Sequence, residues 1–221
     1  MAKSKKKIFL IGFKEEQRAL LFKKFGKKNF LHSIKNINNA TALVSYDRKS
    51  FENTYEKIFT DKNDPFDWIA LPGVGIDKYI KFKKYKNTIF ANAKNTNSIQ
   101  VAEHALALLL AITRKTSFLS KFGHKTKFDF KPIELYNKRA LIIGYGDIGK
   151  NIARRATSFG MKVDILTNKI KVEEEFSNSY LYKDFYKIIH KPKIIFIAAP
   201  LTKKTKNLFC SKTFNLMKQK P

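Results

Sequence analysis

Residues 141–150 read LIIGYGDIGK, an apolar run that breaks into three glycines at the spacing G-x-G-x-x-G. The whole 221-residue chain holds only nine glycines, so Gly144, Gly146 and Gly149 mark a turn with a strict backbone requirement. RALIIG (139–144) reads as a buried strand, and GDIGKNIARRATSFG (146–160) as a helix stopped by Gly160. KVDIL (162–166) follows as a second strand. In a strand–turn–helix unit of this kind the first glycine allows the tight turn. The second lets the backbone approach a pyrophosphate, and the third lets the helix pack against the strand. The helix N-terminus then presents free N–H groups and a partial positive charge to the anion. A lone glycine pattern is weak, but here a strand precedes it and a helix and strand follow, which is the context a dinucleotide site requires. Binding is therefore expected along Gly144, Tyr145, Gly146, Asp147, Ile148 and Gly149.

The same alternation runs outward in both directions. Upstream, IFLIG (8–12), a segment near 30–34, ALVSY (42–46), DWIALPG (67–73) and TIFANA (88–93) read as strands. Helical stretches separate them: KEEQRALLFKKF (14–25), with Leu21, Phe22 and Phe25 on one face and Gly26 as its stop, then FENTYEKIF and KYIKFKKYK. Downstream, KDFYKIIHK reads as a helix and KIIFIAAP (193–200) as a further full strand, with a short strand near Tyr180–Tyr182. This β-α-β-α order predicts parallel sheets covered by helices. Residues 101–112, VAEHALALLLAI, are apolar in ten of twelve positions, so a helix buried between layers or domains is expected. The domain boundary falls just before it, near Ser98. Residues 1–98 form one domain and 99–221 a second, which holds the glycine turn.

A formal charge of +27 raises the question of nucleic acid, but only six of the 45 basic residues are Arg. Base readers favour Arg, whose planar fork matches guanine edges and phosphates. The lysines are also scattered, and Lys, Asn, Ile and Phe are over-used together, as in an AT-rich genome. A basic nucleic-acid-associated protein is thus the minor reading, although a positive field still attracts phosphorylated or carboxylate ligands. Cys210 is the single cysteine, which excludes an internal disulfide and a cysteine-based zinc site. The longest apolar run, Ala105–Ile112, is far shorter than the ~20 residues of a spanning helix, and the N-terminal apolar run is too short for a signal-peptide core. A soluble, cytoplasmic protein without a metal site is expected.

Four segments carry a family resemblance: LPGVGIDKY (71–79), SIQVAEHALALLLAITRK (98–115), ALIIGYGDIGKNIARRATSFGMKV (140–163) and IIFIAAPLTKKTKNLF (194–209). Together they resemble the D-isomer-specific 2-hydroxyacid dehydrogenases. GYGDIGK is also similar to the cofactor domain of S-adenosylhomocysteine hydrolase, but the VAEH helix and the PLT..T segment favour the dehydrogenases. The resemblance implies a flavodoxin-like substrate domain followed by a Rossmann dinucleotide-binding domain. It implies that Gly73, Val74 and Gly75 form a backbone nest for a substrate carboxylate, where the plain alternative is a Pro-Gly turn. Pro200 and Thr205 would border the nicotinamide pocket. His104 lies in a helix the family uses structurally, so a packed, hydrogen-bonded histidine is expected there.

For the cofactor, the generic rule seeks an acid about 20 residues past the first glycine, which lands on Asp164. That residue is mid-strand in KVDIL. The resemblance places the discriminating position at the strand tip, Thr167, followed by Asn168 and Lys169. With no acid there and a lysine nearby, NADP is favoured over NAD. Reduction of a 2-keto acid also needs a cation on the carbonyl and an acid for the alkoxide. The resemblance implies an Arg after the next strand and a Glu–His pair beyond, and residues 1–221 contain none of the three; His32, His124 and His190 occupy other segments. The expectation is an oxidoreductase on a small 2-keto or 2-hydroxy acid, a homodimer when complete, whose second domain is truncated before its catalytic segment. The sheet is expected to be marginal, with the apolar faces of KVDIL and KIIFIAA short of neighbours. A non-catalytic dinucleotide-binding module is the alternative.

Overall fold

The computed structural model describes residues 7–58, 66–73, 88–122 and 132–217. Val74, Gly75, His124 and the helix expected at KYIKFKKYK lie outside these residues. The chain divides into two compact units, Met1–Lys94 and Asn95–Pro221, a few residues before the boundary expected at Ser98.

The first unit contains β1 (Ile8–Ile11), α1 (Glu15–Phe25), β2 (Phe30–Leu31), β3 (Ala42–Ser45), α2 (Arg48–Ile58), β4 (Trp68–Ala70) and β5 (Ile89–Ala91). Its strands lie in the order β2-β1-β3-β4-β5, all parallel. This is the flavodoxin-like order, with a reversal between β1 and β3. Phe9, Leu43, Phe51 and Ile69 are essentially solvent-free at its centre, and each such burial contributes about 1.5–3 kcal/mol. The face expected on α1 is not buried: Phe25 is 52% exposed and no residue of the helix is buried. Phe22 instead lies along the aromatic rings of Phe30 and His32.

The second unit contains α3 (Ser98–Arg114), α4 (Thr116–Phe122), β6 (Arg139–Ile143), α5 (Asp147–Ser158), β7 (Lys162–Thr167), β8 (Asn178–Leu181), α6 (Phe185–Ile188), β9 (Ile194–Ile197) and α7 (Ser211–Leu216). The sheet order is β8-β7-β6-β9, again all parallel. Numbered within the unit this is 3-2-1-4, the first half of a Rossmann sheet, with its switch point between β6 and β9. Side chains from α3 and α5, among them Ala102, Leu106, Ile152, Ala153 and Ala156, cover one sheet face. Phe185, Ile188 and Ile189 cover the other, joined by Leu208, Phe209 and Met217.

Three expectations need correction. β7 is not short of neighbours: Val163, Ile165 and Leu166 are buried because β6 and β8 flank the strand on both sides. Of the two apolar runs, it is β9 at the sheet edge that is exposed, with Ile197 63% accessible. Second, α3 is not buried all round. Ala102, Leu106 and Thr113 are buried, whereas Val101, Leu108 and Ile112 face solvent, since only one stripe of the helix meets α5 and the sheet. Third, His104 is exposed on that helix rather than packed.

A buried polar cluster sets strand register. Asp164, 3% exposed, accepts from Arg139 Nη1 at 2.7 Å and from Asn178 Nδ2 at 2.8 Å, linking β7 to both neighbours. The hydrogen bond to this carboxylate, then its charge, hold the Arg139 guanidinium above its ordinary pKa. Removing Arg139 would leave the buried Asp164 carboxylate with Asn178 as its partner among the described side chains, whereas the guanidinium, about a third exposed, keeps access to solvent.

Candidate dinucleotide site

The glycine turn sits at the carboxyl end of β6, at the switch point. Both neighbouring strands anchor it: Gly144 N–H donates to Leu166 O, and Ala198 N–H donates to Ile143 O, each at 2.8 Å. The three glycines differ in what they leave room for. Gly144 has φ +92°, and a Cβ there would lie 2.7 Å from the backbone N and Cα of Ala199. Its freedom thus serves the turn and the close approach of β9 together. A Cβ on Gly149 would strike the Gly144 carbonyl oxygen and come within 3.4 Å of Ile142 Cγ2, so this glycine seats the helix on the strand. Around Gly146 a Cβ would meet nothing within 4 Å.

Gly146 is also the N-cap of α5, and no side chain caps the helix. The first intrahelical bond runs from Lys150 N–H to Gly146 O at 2.8 Å, so the N–H groups of the first turn remain available. A space without side chains, at a helix N-terminus and a switch point, has the shape and polarity of a pyrophosphate cradle. The residues therefore fit a dinucleotide.

Of the other expected residues, Ile148 and Asp147 lie in the first turn of α5. Tyr145 contributes backbone to the turn, while its side chain, 7% exposed, points into the core toward Ala102, Leu106 and Phe176. Its hydroxyl donates to Glu173 Oε2 at 3.1 Å. Burial first, then Glu173, push the phenol well above its ordinary pKa, so it stays protonated. Thr167 ends β7 and is buried, with Asn168 and Lys169 exposed beyond it. Asp164 lies within the strand and is committed to Arg139 and Asn178.

Across the switch point, the segment after β9 closes on itself. Thr205 Oγ1 donates to Pro200 O at 2.6 Å and accepts from Thr202 N–H at 2.8 Å, which fixes Pro200 and Thr205 in one tight turn beside Ala198 and Ala199. In the first unit, Gly73 has φ +83°, is exposed and has open space where a Cβ would stand. Its carbonyl accepts from Ala93 N–H at 3.0 Å. His32 and His190 are exposed. Among the described residues no group of three His, Cys, Asp or Glu is placed to hold a metal ion, and no helix is long and apolar enough to cross a membrane.

Two features were not anticipated from the sequence. One is the approach of Ala198–Ala199 onto Gly144. The other is the loop 171–176, fastened to α5 by Lys150–Glu173 at 2.7 Å and Arg154–Glu175 at 2.9 Å. The signal for the second was present: Glu173–Glu175 is the one run of three acids in a lysine-rich chain.

Comparison with known proteins agrees with this geometry. Residues 106–221 match the family model described as "D-isomer specific 2-hydroxyacid dehydrogenase, NAD binding domain". The chain is 31% identical over 166 residues to D-3-phosphoglycerate dehydrogenase of Methanocaldococcus jannaschii, covering 72% of this chain and 31% of that protein. It is 26% identical over 205 residues to glyoxylate reductase of Pyrococcus furiosus, covering 87% of this chain and 58% of that protein. A crystal structure of a D-isomer specific 2-hydroxyacid dehydrogenase family protein from Aeromonas salmonicida superposes with a TM-score of 0.78 at 19% identity, covering 93% of this chain and 67% of that one. The fold and the glycine turn define a parallel α/β protein with a dinucleotide-binding unit. The chain belongs to the D-isomer-specific 2-hydroxyacid dehydrogenase family, through its NAD-binding domain.

Proposed function

We propose that this chain supplies the dinucleotide site and part of the substrate site of an NAD(P)-dependent oxidoreductase acting on a small 2-keto or 2-hydroxy acid. The observation that carries this reading is the uncapped N-terminus of α5, with open space above Gly146, at the β6/β9 switch point. Backbone N–H groups of the first turn of α5 would hold the pyrophosphate, aided by the helix dipole. When bound, the nicotinamide dinucleotide supplies or accepts the hydride. The Pro200–Thr205 turn, rigid through its own hydrogen bonds, would border the nicotinamide end. Gly73, with Val74 and Gly75, would take the substrate carboxylate on backbone N–H groups; the positive φ and exposure of Gly73 support this.

NADP is the preferred cofactor in this reading. Asp164 is consumed by the sheet, and the tip after β7 carries Thr167, Asn168 and Lys169, with no acid to repel a 2′-phosphate. The chain spans 31% and 58% of the length of the two relatives named above. The working enzyme is proposed to be a cytoplasmic homodimer; the carbonyl-polarising Arg and the Glu–His pair that the family resemblance implies are not among residues 1–221. These 221 residues alone are therefore expected to bind the dinucleotide without turnover, as a non-catalytic dinucleotide-binding module also would.

Titration of NADPH and NADH against the wild-type chain and Gly146→Val tests the reading. A valine fills the open space, so binding is expected to fall at least a hundredfold while thermal unfolding stays close to wild type. Equal affinity in the two proteins would remove the cradle from consideration.

A further inference from the structure

Tyr145 stands between the two cradle glycines, and a single loop holds its side chain on three sides. Phe176 meets the ring edge-on, with centroids 5.1 Å apart at 83°. Glu173 Oε2 accepts a hydrogen bond from the hydroxyl, and Lys171 Nζ lies over the ring, 5.2 Å from its centroid. The loop is in turn tied down at both ends. Glu173 and Glu175 pair with Lys150 and Arg154 on α5, Thr157 Oγ1 donates to Glu175 O at 3.0 Å, and Lys171 N–H donates to Ser179 Oγ at 3.1 Å. The chain leaving the tip of β7 thus folds back onto the glycine turn.

The charges in this region are unequally satisfied. Lys150 is paired with Glu173, Arg154 with Glu175, and Arg155 with Glu103. Among the described residues, Lys171 has no carboxylate partner, and the exposed Glu174 pairs with no cation. An ammonium seated on an aromatic face is held in place without being neutralised. It keeps its charge for an incoming anion. The ribose 2′ position of a dinucleotide in this fold lies at the tip of the second strand, here β7, and the pyrophosphate lies at the turn. Lys171 belongs to the loop that leaves the strand tip and packs on Tyr145 of the turn, four residues beyond Thr167.

We propose that Lys171, held on the face of Tyr145, is the cation that selects a 2′-phosphorylated adenosine, and that Tyr145 is its positioning residue. This rests on reading the glycine turn as a dinucleotide cradle. Lys169 is exposed, and it is Lys171 rather than Lys169 that lies over the Tyr145 ring, so the charge of Lys169 is spent largely on solvent. Glu173 acts one step back: it fixes the loop through Lys150 and the Tyr145 hydroxyl, leaving the ring free to carry the ammonium.

The test uses the 221-residue chain and two probes lacking nicotinamide, ADP-ribose and 2′-phospho-ADP-ribose, titrated calorimetrically. Wild type should prefer the 2′-phosphorylated probe. Lys171→Met should reduce that preference about tenfold, the worth of one charge-assisted hydrogen bond to phosphate. Tyr145→Leu should reduce it similarly, and Tyr145→Phe, which retains the ring beneath the ammonium, should restore most of it. A merely structural tyrosine would weaken both probes alike. An unchanged ratio in Lys171→Met overturns the proposal, as does Tyr145→Phe falling as far as Tyr145→Leu. If wild type binds both probes and the ratio never moves, only the role of Lys171 fails. If wild type binds neither, the cradle reading fails and takes this inference with it.

Discussion

The two units solve one topological problem in opposite ways. Each has a parallel sheet whose strand order reverses beside its first strand, and each places a positive-φ glycine at that strand's carboxyl end, Gly12 at +75° and Gly144 at +92°. In the first unit a carboxylate of the chain stands against that glycine. The Asp47 carboxylate occupies the space a Cβ on Gly12 would take, and its Oδ1 accepts from Ser50 N–H at 2.8 Å, capping α2. Glu15 and Glu16 occupy the first turn of α1, and the Lys14 N–H is satisfied by Gln17 at 2.9 Å. In the second unit the Ala199 backbone closes on Gly144, while the space above Gly146, two residues on, is open and no side chain caps the helix. The same strand reversal thus carries a carboxylate of the chain in one unit and an open, uncapped helix terminus in the other.

The largest effect expected from breaking this contrast is at Gly149. Gly149→Val drives its side chain into the Gly144 carbonyl, which is backbone and cannot step aside. A loss of about 3 kcal/mol is expected from such overpacking, read as a drop in the urea midpoint of the second unit. Wild-type stability in this variant would mean that the helix does not rest on the strand as described.

A smaller effect is expected at Asp47. Asp47→Ala removes a helix cap, worth about 1 kcal/mol near neutral pH. The Ser50 backbone N–H, then its hydroxyl, hold the Asp47 carboxyl below its ordinary pKa of 3.8. A depressed pKa means the unfolded chain takes up the proton first as pH falls. The carboxylate's contribution is therefore full above the ordinary value and is lost as pH falls through the folded one. The stability gap between wild type and Asp47→Ala should narrow as pH falls through the ordinary carboxylate range and go on shrinking below it until the folded-state carboxyl is protonated. A gap that stays constant across that range would show that the charge contributes nothing.

The smallest effect lies at the exposed strand tip. Lys169→Asp should shift the NADPH/NADH affinity ratio toward NADH by roughly threefold, since a solvated charge pair is heavily screened. A ratio unmoved by the substitution would make Lys169 an ordinary surface lysine.

What could be read from the residues divides along the same line. The glycine turn was legible because its constraint is local: three glycines, a strand before and a helix after leave few conformations. The strands around it were legible from apolar runs such as Ala140–Ile143 and Val163–Leu166. α3 was not, because near-uniform hydrophobicity does not say which stripe the sheet will take, and Leu108 and Ile112 look the same as Leu106 in sequence. The helix expected over KDFYKIIHK is shortened to Phe185–Ile188 because residues 182–184 tighten into a 3₁₀ turn. The hold on Tyr145 was out of reach for another reason. Its partner Glu173 lies 28 residues away, and nothing in a glutamate's own neighbourhood separates a solvated one from one that accepts a buried phenol.

The Arg139–Asp164–Asn178 cluster has a consequence for how this protein changes over generations. It aligns β6, β7 and β8 through side chains that a bound dinucleotide has no need to touch, with Thr167, Asn168 and Lys169 lying at the far end of β7. Strand alignment is thereby carried by residues other than those exposed at the tip. A lineage can exchange the exposed letters at the tip without reopening the question of which strand residue faces which. Substitutions at Asp164 have no such latitude, and drift there is expected to stop where drift at residues 168 and 169 continues.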